Sequence, residues 1–248
     1  MDVVGVDIGG TGIKAAPVDV SRGVLTADRV RQLTPQPSTP DAVAKVVAEV
    51  VAGVAPDGAA STFGATFPAV IRAGKAETAA NVDPAWVGED VAGRLGAATG
   101  RTCVVLNDAD AAGLAELRFG AGRDRGGVVV MVTLGTGIGT AVFVDGRLVP
   151  NTELGHLELD GHEAETRASE VAREREDLSW KKWGHRVGRY LQHLEMLLWP
   201  DLIVVGGGVS KKSEKFFEYL ETRTEVMAAT LLNEAGIVGA AAAAAESR

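Results

Sequence analysis

Asp7-Ile8-Gly9-Gly10-Thr11 sets an acidic residue just ahead of a glycine turn, with Lys14 close behind. Glycines let successive backbone N–H groups converge on an anion, while Thr11 adds a hydroxyl and Lys14 a positive charge, so the segment suits phosphate. It is neither a Walker loop, which needs a Gly-Lys-Ser/Thr ending, nor a dinucleotide fingerprint, because a strand rather than a helix follows the turn. Asp7 suits a magnesium ion held through water, since Mg2+ keeps most of its waters and takes few protein carboxylates. The same residues also fit an ordinary hairpin turn. Asn107-Asp108 offers an amide beside a carboxylate. Together they can bond adjacent hydroxyls of a polyol while Asp108 takes the proton of the one that reacts, or they can cap a helix. Glu153-Leu154-Gly155-His156, with Glu165 beyond it, supplies carboxylate and imidazole groups of the kind that bind a sugar; as isolated charges they would be solvated or structural pairs.

The elements that must position these groups follow from the hydrophobic pattern. Val3 to Asp7 and Ile13 to Asp19 read as strands flanking the first glycine turn. A near copy runs from Val128 to Leu134, through Gly135-Thr136-Gly137-Ile138-Gly139, to Thr140–Asp145, and Gly-Thr-Gly-Ile stands at both 10–13 and 135–138. The repeat points to a duplicated domain. A third glycine turn, Gly206-Gly207-Gly208, follows the strand Leu202 to Val205. Helices are expected at Ala42–Val54 behind Thr39-Pro40, at Asp108–Gly120 after the strand Thr102–Leu106, over the charged stretch Glu163–Trp199 with a break near Ser179 or Gly184, at Lys211–Ala229, and at Leu231–Ala245. Asn107 and Asp108 thus stand where a strand opens into a helix, the place where α/β proteins put chemistry.

Composition narrows the classes. With 33 acidic and 25 basic side chains the net charge is -8, which excludes a general nucleic-acid or membrane-surface binder and leaves a polyanion only a local patch. The single cysteine, Cys103, allows neither an internal disulfide nor a multi-thiolate zinc site, so a reducing, cytoplasmic setting is expected. No apolar run reaches the roughly 18 residues of a membrane span.

The motifs in this order, Asp7-Ile8-Gly9-Gly10-Thr11, Asn107-Asp108, Leu134-Gly135-Thr136-Gly137-Ile138-Gly139 and Glu153-Leu154-Gly155-His156, resemble those of the ROK (repressor, open reading frame, kinase) family of sugar kinases over nearly the whole chain. More narrowly, 151–158 and Ser179-Trp180-Lys181-Lys182-Trp183-Gly184 are similar to the actinobacterial polyphosphate glucokinases. The resemblance implies an actin-like, hexokinase-like (ribonuclease H-like) duplicated α/β fold with an interdomain cleft: a small domain over 1–112 completed by the C-terminal helix 232–248, and a large one over 113–231. It implies a homodimeric glucokinase using Mg2+ and transferring a terminal phosphoryl group from inorganic polyphosphate, ATP or both to the 6-hydroxyl of glucose. Kinase action on another hexose or an amino sugar, or non-catalytic sugar sensing, are the alternatives. Asp108 is then the base. Thr66, Pro68, Asn81, Asn107, Glu153, His156 and Glu165 fall at sugar positions, and Gly9, Gly10, Thr11, Lys14, Thr136, Gly137, Gly207 and Gly208 at phosphate or nucleotide positions. Many members carry a cysteine-rich zinc motif after the position of His156; here 157–162 has no cysteine, so no structural zinc is expected and His156 is left to the sugar. A long polyphosphate chain needs a cationic track that ATP largely does without. Lys181, Lys182, Arg186 and Arg189 form the densest candidate, with Lys211, Lys212 and Lys215 second, unless the stripe is a solvated helix face paired to Glu174, Glu176 and Asp177.

Overall fold

The computed structural model describes residues 2–55, 61–79 and 81–247. The chain forms two units, Met1–Ala115 with Glu234–Arg248, and Glu116–Asn233.

In the first unit the valine-rich N-terminal run forms β1 (Asp2–Ile8), which turns through the first glycine loop into β2 (Ile13–Asp19). Their antiparallel register sets Asp7 opposite Lys14 and Ile8 opposite Ile13. β3 (Val24–Leu25) and β4 (Val30–Gln32) pair with β2. Next come α1 (Pro40–Val54), β5 (Thr62–Phe67), a small hairpin of β6 (Ile71–Arg72) and β7 (Lys75–Ala76), α2 (Val91–Thr99), β8 (Thr102–Asn107) and α3 (Asp108–Phe119). The sheet order is β3-β2-β1-β5-β8, with β5 parallel to both β1 and β8. Pro40 occupies the first turn of α1, where its missing N–H costs nothing, and Thr39 makes no side-chain cap. Val43, Val47, Val50 and Val51 recur at helical spacing and are buried in one cluster with Val4, Val6, Phe63 and Trp86. Cys103 is buried on β8, and burial pushes its thiol up, which keeps it in the unreactive protonated form.

The second unit repeats the plan. β9 (Val128–Leu134) turns through the second glycine loop into β10 (Ile138–Val144), followed by β11 (Arg147–Val149). After the two-stranded β12 (Glu158–Leu159) and β13 (His162–Glu163) come α4 (Glu165–Ala168), α5 (Glu170–Arg175), α6 (Trp180–Leu198), β14 (Leu202–Gly206) and β15 (Val226–Ala228). The order β11-β10-β9-β14-β15 reproduces that of the first sheet, hairpin first and parallel strands after. Trp183, Val187, Tyr190, Leu191 and Leu194 form the buried face of α6 in a cluster with Val130, Val132, Ile203 and Val205.

Several expected elements differ. The units divide at 115/116 and 233/234, where 112/113 and 231/232 were expected, and the first division falls inside the unbroken α3; the terminal Met1 and Arg248 lie outside the described residues. The stretch 163–199 breaks at Ser169 and over 176–179, but not at Gly184, which is buried within α6. The helix expected over 211–229 is absent. Two 3-10 segments, Gly208–Lys215 and Phe217–Tyr219, and β15 replace it. The reason is tertiary: Gly184 and Gly188 leave a bare strip on α6, where the carbonyls of Phe216 and Leu220 lie within reach of any added Cβ. The last helix begins at Ala235, after a 3-10 turn at Leu232–Glu234. No helix among the described residues is long and apolar enough to cross a membrane.

That last helix, α7 (Ala235–Glu246), belongs to the first unit and packs on β1 and β5. Its alanine content is a packing requirement. A Cβ on Gly5 would overlap the carbonyl of Ile237, one on Gly64 that of Ala240, and one on Gly239 that of Ala111, so backbone touches backbone on both sides of α7. Gly64→Ala is therefore expected to lose about 2 kcal/mol or more of stability, read as a lower urea midpoint at unchanged m-value.

Candidate active site

In the first unit the glycine loop closes with Gly9 N–H donating to Gly12 O at 3.1 Å, and the Thr34 hydroxyl donates to Gly9 O at 2.5 Å. Asp7 stands at its base. Its Oδ2 accepts from Lys14 Nζ at 3.0 Å, and its Oδ1 from the Thr66 hydroxyl at 3.1 Å. Thr66 is fully buried and also accepts from Ile8 N–H at 3.1 Å. Its hydroxyl thereby ties Asp7 to β5. Asn81, in the left-handed region at φ 59°, lies against Gly10, beside the phosphate loop, and Pro68 is buried directly after β5.

Asn107 closes β8 and caps α3: its Oδ1 accepts from Ala109 N–H at 2.8 Å and Asp110 N–H at 3.2 Å, and its Nδ2 donates to Ala69 O at 3.1 Å. At 8% exposure, Asn107 is held by both ends of its amide at the start of α3. Asp108 follows at the first residue of α3 and is exposed, with Oδ1 accepting from Ala109 N–H at 2.9 Å. A buried cap thus presents an outward carboxylate at a helix start.

In the second unit Gly135 N–H donates to Gly137 O at 3.1 Å, closing a turn like that of the first unit and leaving Thr136 exposed. Glu165 is anchored here. Its Oε2 accepts from Ile138 N–H at 3.1 Å and fills the space a Cβ on Gly137 would need. Gly207, at φ 87°, packs against the end of β9, where a side chain would overlap Leu134 O, and Gly208 follows it.

Glu153 and His156 are placed by a device the sequence did not announce. The buried Thr140 on β10 donates its hydroxyl to Thr152 O and accepts from Leu154 N–H at 3.1 Å, while the Thr152 hydroxyl donates to Thr140 O at 3.1 Å. Gly155 presses on Ile138 O with no room for a Cβ. His156 then stands among carboxylates: Nε2 is 3.9 Å from Glu153, and Nδ1 is 3.6 Å from Glu163 and 3.8 Å from Glu165. These separations exceed hydrogen-bond length, so the imidazole makes no direct hydrogen bond to any of the three carboxylates. Glu163 is an addition to the expected set. His156, Glu163 and Glu165 are also near enough together to offer three ligand atoms to a cation, whereas His162 takes no part among the described residues.

The expected basic stripe on α6 divides. Lys181 and Lys182 are exposed, while Arg186 pairs with Glu176 at 2.8 Å and Arg189 with Asp160 at 3.3 Å. The Arg186 hydrogen bond holds the Glu176 carboxyl below its ordinary range. Trp183 is core, its indole N–H donating to Ala168 O and Ser169 O at 3.1 Å each.

Two units, each an antiparallel hairpin with a glycine tip followed by parallel strands, define the actin-like, hexokinase-like class of sugar phosphotransferases, which the solved structures of similar shape share. The ROK family model matches residues 3–170, and the chain belongs to the ROK family. It is 51% identical to the polyphosphate glucokinase of Mycobacterium tuberculosis over 96% of this chain and 89% of that one. Among solved structures it matches the inorganic polyphosphate/ATP-glucomannokinase of Arthrobacter sp. strain KM with a TM-score of 0.95 at 51% identity, covering 100% of this chain and 99% of that one. A ROK family glucokinase from Streptomyces griseus, solved with glucose and AMPPNP, matches with a TM-score of 0.85 at 25% identity, covering 99% and 100%.

Thr140→Val removes the acceptor for Leu154 N–H and the tie to Thr152. It is expected to cost about 1–3 kcal/mol in a thermal or urea melt and to raise the sugar KM roughly tenfold with less effect on the donor KM.

Proposed function

We propose that this chain transfers the terminal phosphoryl group of inorganic polyphosphate or ATP to the 6-hydroxyl of glucose. The observation that carries the reaction type is Asp108, an exposed carboxylate fixed by a buried cap at the junction of β8 and α3. The relatives' names, polyphosphate glucokinase and polyphosphate/ATP-glucomannokinase, support the donor and acceptor.

Glu153, His156 and Glu165 bind sugar hydroxyls, with Glu163 beside them, and so orient the 6-hydroxyl. The backbone N–H groups of the loops at 9–12 and 135–137 hold donor phosphates, with Gly207 and Gly208 at the third turn. Lys14 adds positive charge at the first loop. In a loose transition state most of the rate comes from alignment and charge neutralisation, and Asp108 receives the hydroxyl proton late, so no unusually strong base is needed. One hard carboxylate at a phosphate loop fits a hydrated Mg2+, with Asp7 holding it through water. When bound, the ion neutralises charge on the transferring phosphate. Homodimeric assembly, which rests on the resemblance alone, and a cytoplasmic setting, which the lone buried cysteine supports, complete the reading.

A panel of polyphosphate and nucleoside triphosphates against several hexoses, assayed for sugar phosphate, tests the whole reading; product with none of them would overturn it. Asp108→Asn should lower kcat by several orders of magnitude with sugar affinity kept within roughly tenfold, because hydrogen-bonding shape survives and the base does not. Near-normal turnover would remove Asp108 from the role. Glu153→Gln and His156→Ala should each raise the sugar KM strongly, and an unchanged KM in both would move the sugar elsewhere.

A further inference from the structure

Two tryptophans one turn apart on α6 have different fates. Trp183 is fully buried, whereas Trp180, the first residue of the helix, is only partly covered and collects cations. The Arg173 guanidinium lies 4.3 Å from its ring centroid, Lys212 Nζ 5.7 Å and Lys215 Nζ 5.6 Å. Phe216 backs the indole, with the planes 18° apart. An aromatic face orients a cation through its quadrupole without cancelling the charge, as a carboxylate would.

The flanking elements are tied to the glycine loops. Arg173 sits on α5, which is fastened to the second loop by Val171 N–H donating to Gly135 O at 3.2 Å. Lys212 and Lys215 ride on the 3-10 segment that starts at Gly208, and a non-helical kink at Lys212 interrupts that segment. Two carboxylates face the same ring of charge. Glu174 pairs with Arg173 at 3.6 Å; Glu170, beside Gly208, is held above its ordinary range by burial and then by Glu174. Lys212 and Lys215 have no carboxylate oxygen within 4 Å among the described residues. In a chain of net charge -8, two ammonium groups without a direct ion pair, on the segment that starts at Gly208, are a local reversal of sign, although Lys212 also acts on Glu170 through space.

We infer that Arg173, Lys212 and Lys215, gathered around Trp180, form the subsite for the distal phosphates of an inorganic polyphosphate donor. The inference rests on the donor reading above and assigns the polymer to these residues instead of to Lys181 and Lys182, which are exposed at the start of α6, or Arg186 and Arg189, which are paired to Glu176 and Asp160. A polymer continues past the loops that hold its reacting end and meets the cluster; a short triphosphate needs it far less.

The test compares the full-length enzyme with Lys212→Ala/Lys215→Ala and, separately, Lys181→Ala/Lys182→Ala, measuring kcat/KM for long-chain polyphosphate, tripolyphosphate and ATP. The first double variant is expected to lose about tenfold or more with the long polymer and less than about threefold with ATP, with the defect growing with chain length. Its polyphosphate KM should depend less steeply on salt, by about 1.5 in log–log slope for two lost phosphate contacts. Lys212→Arg/Lys215→Arg should restore polymer use. Equal losses with ATP and polymer, no loss with either, or a length-dependent loss in Lys181→Ala/Lys182→Ala instead would overturn the assignment while leaving the donor reading intact. A wild-type enzyme that turns over ATP but no polyphosphate would overturn the donor reading and the inference with it.

Discussion

A phosphate chain gripped by backbone N–H groups needs a stretch of main chain that no side chain shields, held still by something other than its own side chains. Both units meet this constraint by closing a pair of seven-residue antiparallel strands on glycines. Strand register does the holding. Asp7 meets Lys14 across the first hairpin only because β1 and β2 pair as they do, and a slip of one residue would turn every side chain of the strand to the other face. In the second hairpin Glu165 reaches over to Ile138 N–H, so the carboxylate proposed for the sugar is indexed to the loop proposed for phosphate. On that reading acceptor and donor geometry share one reference frame within the unit.

What was legible in the sequence was local. Gly-Thr-Gly-Ile at 10–13 and 135–138 announced both hairpins because turn chemistry is written in consecutive residues, and the strand-to-helix change at Asn107-Asp108 was legible for the same reason. Side chains that act on distant backbone were not legible. Thr66 bonds Asp7, 59 positions away, and Asn107 bonds Ala69, 38 away. Nothing in the sequence marks Thr140 and Thr152 as partners, yet they fix the Glu153–His156 segment. The failed helix at 211–229 has the same origin. Its apolar spacing looks helical, but the strip opened by Gly184 and Gly188 rewards close backbone contact more than a continued helix would.

Charge is distributed with similar economy. An acidic chain repels polyanions at long range, which leaves recognition to short-range groups and makes each unneutralised cation informative. Arg186 and Arg189 are drawn into ion pairs with Glu176 and Asp160, so their count in the sequence overstates their field. Lys212 and Lys215 lie over an aromatic ring and make no direct ion pair among the described residues. Sequence density of positive residues and available positive potential are different quantities, and the partner that orients each cation decides between them.

The placement of α7 bears on how the molecule comes into being. The helix that covers β1 and β5 comes after the whole second unit in the chain, so the strands it covers are synthesised well before it and their glycine-lined surface closes only once it is made. Residues 116–233 can complete their own sheet in the interval. During synthesis the first unit is therefore completed out of sequence order, after the unit that follows it.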